Sequence, residues 1–211
     1  MYMNRKFVSK SNFVLRRVLN TEENVDILKE FIEVMLNLEI KEAKINPYLE
    51  KMKEHLPAEE NFGIADLRIK TTENEERNVG IQIIDGDHVL IKMLLYYVQI
   101  HANQLEYDEY RECVKTNTIN ILDFVLNKEL DYHSKMVVKE ENMTNIINDY
   151  PEIHILQLPK FKIENSKDMT LKQAWISYFK GENIEDAIKK SEKIKKLDQL
   201  LEKYWREEVM E

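Results

Sequence analysis

One carboxylate, Asp66, lies in the middle of an alternating apolar stretch that is typical of a buried β-strand. The run Phe62–Lys70 alternates so that one strand face carries Ile64, Asp66, Arg68 and Lys70. A second run, Asn78–Ile84, predicts a neighbouring strand in which Gln82 follows Gly80 by two residues. The polar segment between the two runs predicts a hairpin loop. We therefore expect a single acid on one strand beside a glutamine on the next.

A carboxylate in such a strand needs a compensating partner, because an unpaired buried charge is costly. One candidate is a divalent cation, since Mg²⁺ binds oxygen ligands and commonly uses one or two carboxylates together with water and substrate phosphate. The other interpretation is that Asp66 lies on a solvated face of the sheet and pairs with Arg68 or Lys70. The residue types alone leave both interpretations open.

The remaining periodicity predicts the elements that position this hairpin. Asn20 and Glu23 have capping-box spacing and predict the start of a helix that runs to about Leu38, with Glu30 and Glu33 along it. The other predicted elements are a helix within 5–20, strands at 39–46, 114–124, 135–139 and 153–158, and helices at 88–105, at 170–181 and from 182 onwards. This order predicts an α/β fold in which helices flank a central mixed sheet.

The composition is that of an ordinary globular chain. Its 211 residues, 43% hydrophobic and 33% charged, are enough for one domain with a full core. No apolar run reaches the ~18 residues that a membrane span requires, and none follows the basic start, so we expect no span, no signal peptide and a cytoplasmic protein. The single cysteine, Cys113, excludes an internal disulfide and a cysteine-based zinc site. The net charge of −8 does not favour non-specific binding to nucleic acid.

The order of several segments resembles a known family. These segments are Asn12–Leu19, Glu22–Leu28, Asp66 in its strand, Asn78–Gln82 in the next strand, Tyr96-Tyr97 in the following helix, Ile119–Phe124, and Ile153–Phe161. Over roughly residues 12–205 the chain is similar to the PD-(D/E)XK nuclease family transposases, the Rpn-type recombination-promoting nucleases. The resemblance implies a restriction-endonuclease-like core over residues 1–165 and a C-terminal helical extension over residues 166–211.

The resemblance also implies Mg²⁺-dependent cleavage of DNA by an Asp on one strand and a Glu-x-Gln on the next. Asp66 matches the metal-binding Asp, and Gln82 matches the third position, which orients the attacking water or stabilises developing charge. Gly80 stands where the family has its Glu, so one metal ligand is missing. Met93 stands where many members have an Arg.

Two hypotheses follow from this incomplete site. In the first, the protein is a weakened Mg²⁺-dependent endonuclease in which Glu33 or Glu30 replaces the missing ligand. In the second, it is a catalytically inactive relative that binds DNA or protein and regulates an active homologue. The candidate partners are DNA, bound with low affinity because the chain is acidic, a second copy of the chain, or a homologous nuclease.

Overall fold

The computed structural model describes residues 12–46, 63–84, 86–102, 104, 113–138 and 151–208. Six strands form one sheet: β1 (Ile40–Ile45), β2 (Ala65–Thr71), β3 (Glu76–Ile84), β4 (Lys115–Leu122), β5 (His133–Met136) and β6 (Glu152–Gln157). The helices are α1 (Asn12–Leu19), α2 (Val25–Leu36), α3 (Val89–Ala102), α4 (Leu171–Lys180), α5 (Ile184–Lys190) and α6 (Glu192–Glu208). The predicted fold class, a mixed sheet flanked by helices, is confirmed.

The spatial order of the strands is β1-β2-β3-β4-β6-β5. The pairs β1–β2, β2–β3 and β5–β6 are antiparallel, whereas β3–β4 and β4–β6 are parallel. The chain reaches β4 from β3 through α3, as a parallel pair requires a crossover connection. The hairpin predicted from the sequence corresponds to the antiparallel β2–β3 pair, which lies near the centre of the sheet.

The two faces of the sheet are covered unequally. Alternate residues such as Leu67, Val79 and Ile119 point into the main core, where α2, α4 and α6 contribute large side chains including Phe31, Trp175 and Leu197. The opposite face packs against α3 in a smaller apolar cluster made of Ile84, Val89, Met93, Tyr97, Leu122, Ile153 and Ile155. The C-terminal helices therefore share the main core with the sheet. Asp66 alternates with the main-core residues, so it faces the α3 side.

The start of α2 differs from the prediction. Residues Glu22–Asn24 form a 3-10 turn, α2 begins only at Val25, and no side chain caps either element. The prediction of a capping box at Asn20 and Glu23 is wrong. Instead, the Asn24 side-chain amide donates a hydrogen bond to the Val18 carbonyl at 2.7 Å, which connects the turn to α1. The helix ends at Leu36, two residues early, because Asn37 adopts a left-handed conformation with φ 53°.

The C-terminal region also differs. The single helix expected from residue 182 onwards is two helices, α5 and α6, separated at the extended residue Ser191. The Ser191 hydroxyl accepts hydrogen bonds from the backbone N–H groups of Lys193 and Ile194, both at 3.1 Å, and so caps α6. The strand expected at 135–139 is displaced to His133–Met136, and Lys139 lies outside the described residues.

Candidate active site

Three of the residues singled out in the sequence lie together on the α3 side of the sheet. Asp66 of β2 is directly opposite Gly80 of β3 in the antiparallel register. Gln82 lies two residues further along β3, and so on the same face as Gly80. Its neighbour across the parallel β3–β4 pair is Asn120. The structure therefore brings Asp66, Gly80 and Gln82 to one place, between two central strands and helix α3.

Gln82 is engaged in a buried amide network. Its Nε2 donates to the Asn120 Oδ1 at 2.6 Å, and the Asn120 Nδ2 donates to the His154 carbonyl at 2.9 Å. Gln82 is 3% exposed and Asn120 is fully buried. The glutamine amide nitrogen is thus used for linking β3 to β4, and Asn120 is a participant that the sequence interpretation did not identify.

Asp66 is almost completely buried, with 1% of its surface exposed. The interpretation in which it lies on a solvated face and pairs with Arg68 is therefore wrong, and Arg68 instead contacts Glu76 at 3.0 Å. Burial raises the pKa of Asp66 to about 8, although a hydrogen bond with the Asn46 side chain opposes this rise. Among the described residues, its Oδ1 atom has no hydrogen-bond partner. At neutral pH the side chain is therefore mainly a neutral carboxylic acid.

The space beside Gly80 is filled by helix α3. A Cβ atom at this position would overlap Cδ1 of Ile100 and would lie 2.9 Å from the Tyr96 hydroxyl oxygen. Gly63, just before β2, has the same relation to Tyr96, and a Cβ there would overlap the hydroxyl oxygen. Gly63 leaves room for Tyr96, and Gly80 leaves room for Ile100 and Tyr96, which approach the strand backbone closely. The space beside Gly80 thus holds side chains of helix α3.

Tyr96 is the central contact of this closed arrangement. Its hydroxyl oxygen lies 3.3 Å from the carbonyl oxygens of both Ala65 and Ile81, to which it can donate. Burial raises the pKa of Tyr96, the nearby Asp66 raises it further, and the charge of Arg16 partly opposes both effects. The sequence interpretation assigned Tyr96 to core packing. The two nearby glycines, among only four in the chain, were the available signal of a close backbone approach.

Arg16 places a positive charge close enough to Tyr96 to affect its pKa. Its guanidinium group donates from Nε and Nη2 to the Gly63 carbonyl, at 2.8 and 2.6 Å, which anchors α1 to the start of β2. Partial burial lowers the pKa of Arg16 from its ordinary value, although Tyr96 opposes this. Met93, for which the resemblance implied an arginine in many relatives, is buried in the small cluster under α3.

The two helical acids proposed as replacement ligands lie on the other side of the sheet. The Glu30 Oε1 atom accepts hydrogen bonds from the Trp175 indole at 3.0 Å and from the Ser191 hydroxyl. The Glu33 Oε1 atom accepts from the backbone N–H of Ile40 at 2.8 Å. Ile40 pairs with the far end of β2, which is ~16 Å along the strand from Asp66 at ~3.3 Å per residue. The structure does not bring either acid to Asp66.

These contacts do not fit a Mg²⁺ ion. Within the described ranges no group of three His, Cys, Asp or Glu side chains is arranged to hold a metal. The Asp66 carboxyl is almost completely buried, and its partner across the strands, Gly80, offers no side-chain oxygen. Ile100 and Tyr96 occupy the space that a side chain at Gly80 would need. The described residues at this site therefore form a packed core with one buried acid.

A second polar cluster joins β4, β6 and β5 on the main-core side. The Glu152 carboxylate contacts Lys115 Nζ and His154 Nε2, each at 2.8 Å, and the His154 Nδ1 lies 3.0 Å from the His133 Nε2. Burial raises the pKa of Glu152, but hydrogen bonds from His154 and Lys115 outweigh this effect and lower the pKa to about 2. Burial is also the main reason that the pKa of His133 falls to about 3. These groups satisfy one another, as a structural ion-pair network does.

The mixed sheet, the central hairpin with its buried aspartate and the flanking helices define an α/β protein of the restriction-endonuclease-like class. A family model described as PD-(D/E)XK nuclease family transposase matches residues 9–210, so the chain belongs to this family. No curated protein and no solved structure was found to match it. Nucleases of this family act on DNA and typically use a divalent metal. In the part of the chain that the structure describes, no helix has the length and apolar character of a membrane span.

Proposed function

We propose that this protein is a catalytically silent member of its family, which keeps the nuclease fold and takes part in DNA transactions by binding rather than by cleaving. The observation that carries the proposal is the packing around Gly80, where Tyr96 and Ile100 occupy the space that a side chain at this position would need. Family chemistry needs two ionised acids to hold a metal against the scissile phosphate. Here Gly80 supplies no acid, and the remaining acid, Asp66, is almost completely buried.

The charge of the chain favours a protein as its direct partner. A net charge of −8 opposes the counterion-releasing contacts that dominate affinity for DNA. An inactive relative of the same fold can regulate an active family member by occupying the surface that this member uses for its partner. The proposed role is therefore that of a regulator of an active homologue.

The alternative is a weakened endonuclease, in which Asp66 would be the metal ligand, Gln82 would orient the water, and Glu33 or Glu30 would complete the site. A DNA cleavage assay distinguishes the two. Plasmid DNA is incubated with Mg²⁺ or Mn²⁺ and either the native protein or Asp66→Ala. We expect no product above background from either protein. Cleavage by the native protein that is lost in Asp66→Ala would overturn the proposal.

A calorimetric titration with Mg²⁺ tests why the site is silent. We expect no binding to the native protein, to Ile100→Ala or to Gly80→Glu, because the single Gly80→Glu change introduces a carboxylate where there is no space. The double variant Gly80→Glu/Ile100→Ala supplies the carboxylate and removes the Ile100 Cδ1 atom, which is the nearest overlapping atom, and we expect it to gain Mg²⁺ binding. Strong Mg²⁺ binding to the native protein would contradict the proposal.

A further inference from the structure

Helix α3 is apolar on both of its sides. Its inner side faces the sheet with Val89, Met93, Tyr96, Tyr97 and Ile100, which are all buried. Its outer side presents five aliphatic residues that are between 49% and 62% exposed, here called the α3 stripe: Leu90, Ile91, Leu94, Leu95 and Val98. A helix with apolar residues all round is expected to be buried on all sides. The outer half of α3 therefore lacks the cover that its sequence implies, as far as the described residues are concerned.

The surroundings of α3 explain this exposure. Helix α3 packs mainly on β3 and β4, whereas α2, α4 and α6 lie on the other face of the sheet. Five half-exposed aliphatic side chains leave on the order of 400 Å² of apolar surface, in the range where the largest patch on a protein is often functional. The remaining strongly exposed apolar residues, such as Val125 and Leu130, lie elsewhere in the chain.

The stripe has the geometry of a helix-packing surface. Leu90, Leu94 and Val98 form one row at four-residue spacing, and Ile91 and Leu95 form a second row beside it. Rows at this spacing are the ridges that interdigitate when two helices pack at about −50°. None of the five side chains is charged or polar, so the groove between the rows is purely aliphatic.

We propose that the α3 stripe is a self-association surface, on which two copies of the chain pair α3 against α3 about a two-fold axis near Leu94 and Leu95. A two-fold interface needs one self-complementary patch, and every copy carries it. The uncharged stripe also allows two chains of charge −8 to approach without placing like charges in contact. In this pairing, Ile91 of one copy lies near Val98 of the other.

The size of the stripe sets the expected strength of the dimer. Two stripes of ~400 Å² each bury on the order of 800 Å², which is in the range of weak, transient interfaces. We therefore expect a reversible dimer with a dissociation constant of ~1–100 μM. Because α3 also carries Tyr96 and Ile100, pairing would hold in place the helix that fills the space beside Gly80. The inference goes beyond the proposed function, since the stripe is exposed whether or not the protein cleaves DNA.

Sedimentation equilibrium over a concentration series tests the proposal with the full chain. We expect the native protein to dimerise, and Leu94→Glu to raise the dissociation constant at least ~10-fold, about the effect of 1.4 kcal/mol. The matched control is Leu130→Glu, which adds the same charge at an exposed leucine outside the stripe and should leave the dissociation constant unchanged. Circular dichroism confirms that each variant is folded. A native protein that is monomeric at ~100 μM, or a folded Leu94→Glu that dimerises as well as the native chain, would overturn the proposal.

Cysteine cross-linking tests the geometry without adding a charge. In a Cys113→Ser background, Leu94→Cys should form a disulfide-linked dimer under mild oxidation, because a residue near a two-fold axis lies close to its own copy. Leu130→Cys should not. If Leu94→Cys stays monomeric and reacts only slowly with a thiol reagent, another segment of the same chain covers the stripe and the proposal is wrong. Neither experiment measures cleavage or metal binding, so the outcome is independent of the proposed function.

Discussion

Replacing Asp66 with asparagine tests whether the family acid has become a buried neutral group. The pKa of Asp66 is about 8 in the folded protein and 3.8 in the unfolded chain. Between these pH values the folded state binds a proton that the unfolded state does not bind. The free energy of unfolding therefore decreases as the pH rises through this range. Asparagine does not titrate, so Asp66→Asn removes this loss.

The magnitude follows from the two pKa values. At ~1.4 kcal/mol per pKa unit, the difference between 3.8 and about 8 corresponds to a loss on the order of 5 kcal/mol from pH 4 to pH 8. We expect Asp66→Asn and the native protein to differ least near pH 4, and the variant to gain several kcal/mol relative to the native protein by pH 8. Any constant cost of packing the new amide cancels in this comparison.

The assay is urea unfolding followed by circular dichroism at half-unit steps between pH 4 and pH 8. Asp26→Asn is the matched control with the opposite sign. Partial burial raises the pKa of Asp26, but hydrogen bonds from Lys193 and Lys196 outweigh it and lower the pKa. Loss of that carboxylate should therefore destabilise the protein at neutral pH. A stability difference between native protein and Asp66→Asn that is the same at pH 4 and pH 8 would refute the reasoning.

Three further predictions concern the contacts around the site. Gly80→Ala should lower the free energy of unfolding, measured by urea unfolding, by ~1–3 kcal/mol through overpacking. The double variant Gly80→Ala/Ile100→Val should recover part of this loss, because valine lacks the overlapping Cδ1 atom. Glu30→Gln should lower the free energy of unfolding by ~1–3 kcal/mol, because it weakens the acceptor of the hydrogen bonds from Trp175 and Ser191. Calorimetry should show the same Mg²⁺ binding for this variant as for the native protein. A change in Mg²⁺ binding would indicate that Glu30 is a metal ligand. The low pKa of Glu152 implies stability that is present above pH 4.5 and lost as the pH falls toward about 2. Glu152→Gln should lack this part of the acid dependence, and an acid-unfolding curve of native steepness would contradict it.

The hairpin illustrates what could be predicted from residue order. Alternation placed Asp66 on one face of the first strand and Gly80 and Gln82 together on one face of the second, and the β2–β3 register brings these faces together. The helix after residue 170 and its end at Gly181 also agree, since Thr170 caps α4 and Gly181 adopts φ 76°. These features depend on neighbours a few residues apart. The break at Ser191 was missed because the apolar period continues across it and the cap is a single serine.

The chemistry of the site could not be predicted in the same way. Glu30 and Glu33 looked available because helical periodicity gives the face of a side chain but not the distant group that the face meets. Glu30 instead contacts Trp175, which is 145 residues further along the chain. Likewise, the burial and the raised pKa of Asp66 could not be read from the local sequence, because they depend on residues far apart in the chain that pack around it.

The sequence by itself determined the family, the order of the strands and helices, and the absence of a side chain at position 80. It did so because periodicity, turn residues and motif order are local properties of the chain. Only the tertiary structure decided that Tyr96 and Ile100 fill the space beside Gly80, that Asp66 is sealed from solvent, and that the outer side of α3 is exposed. These properties arise from how closely a helix approaches a sheet, which depends on contacts between residues far apart in the chain.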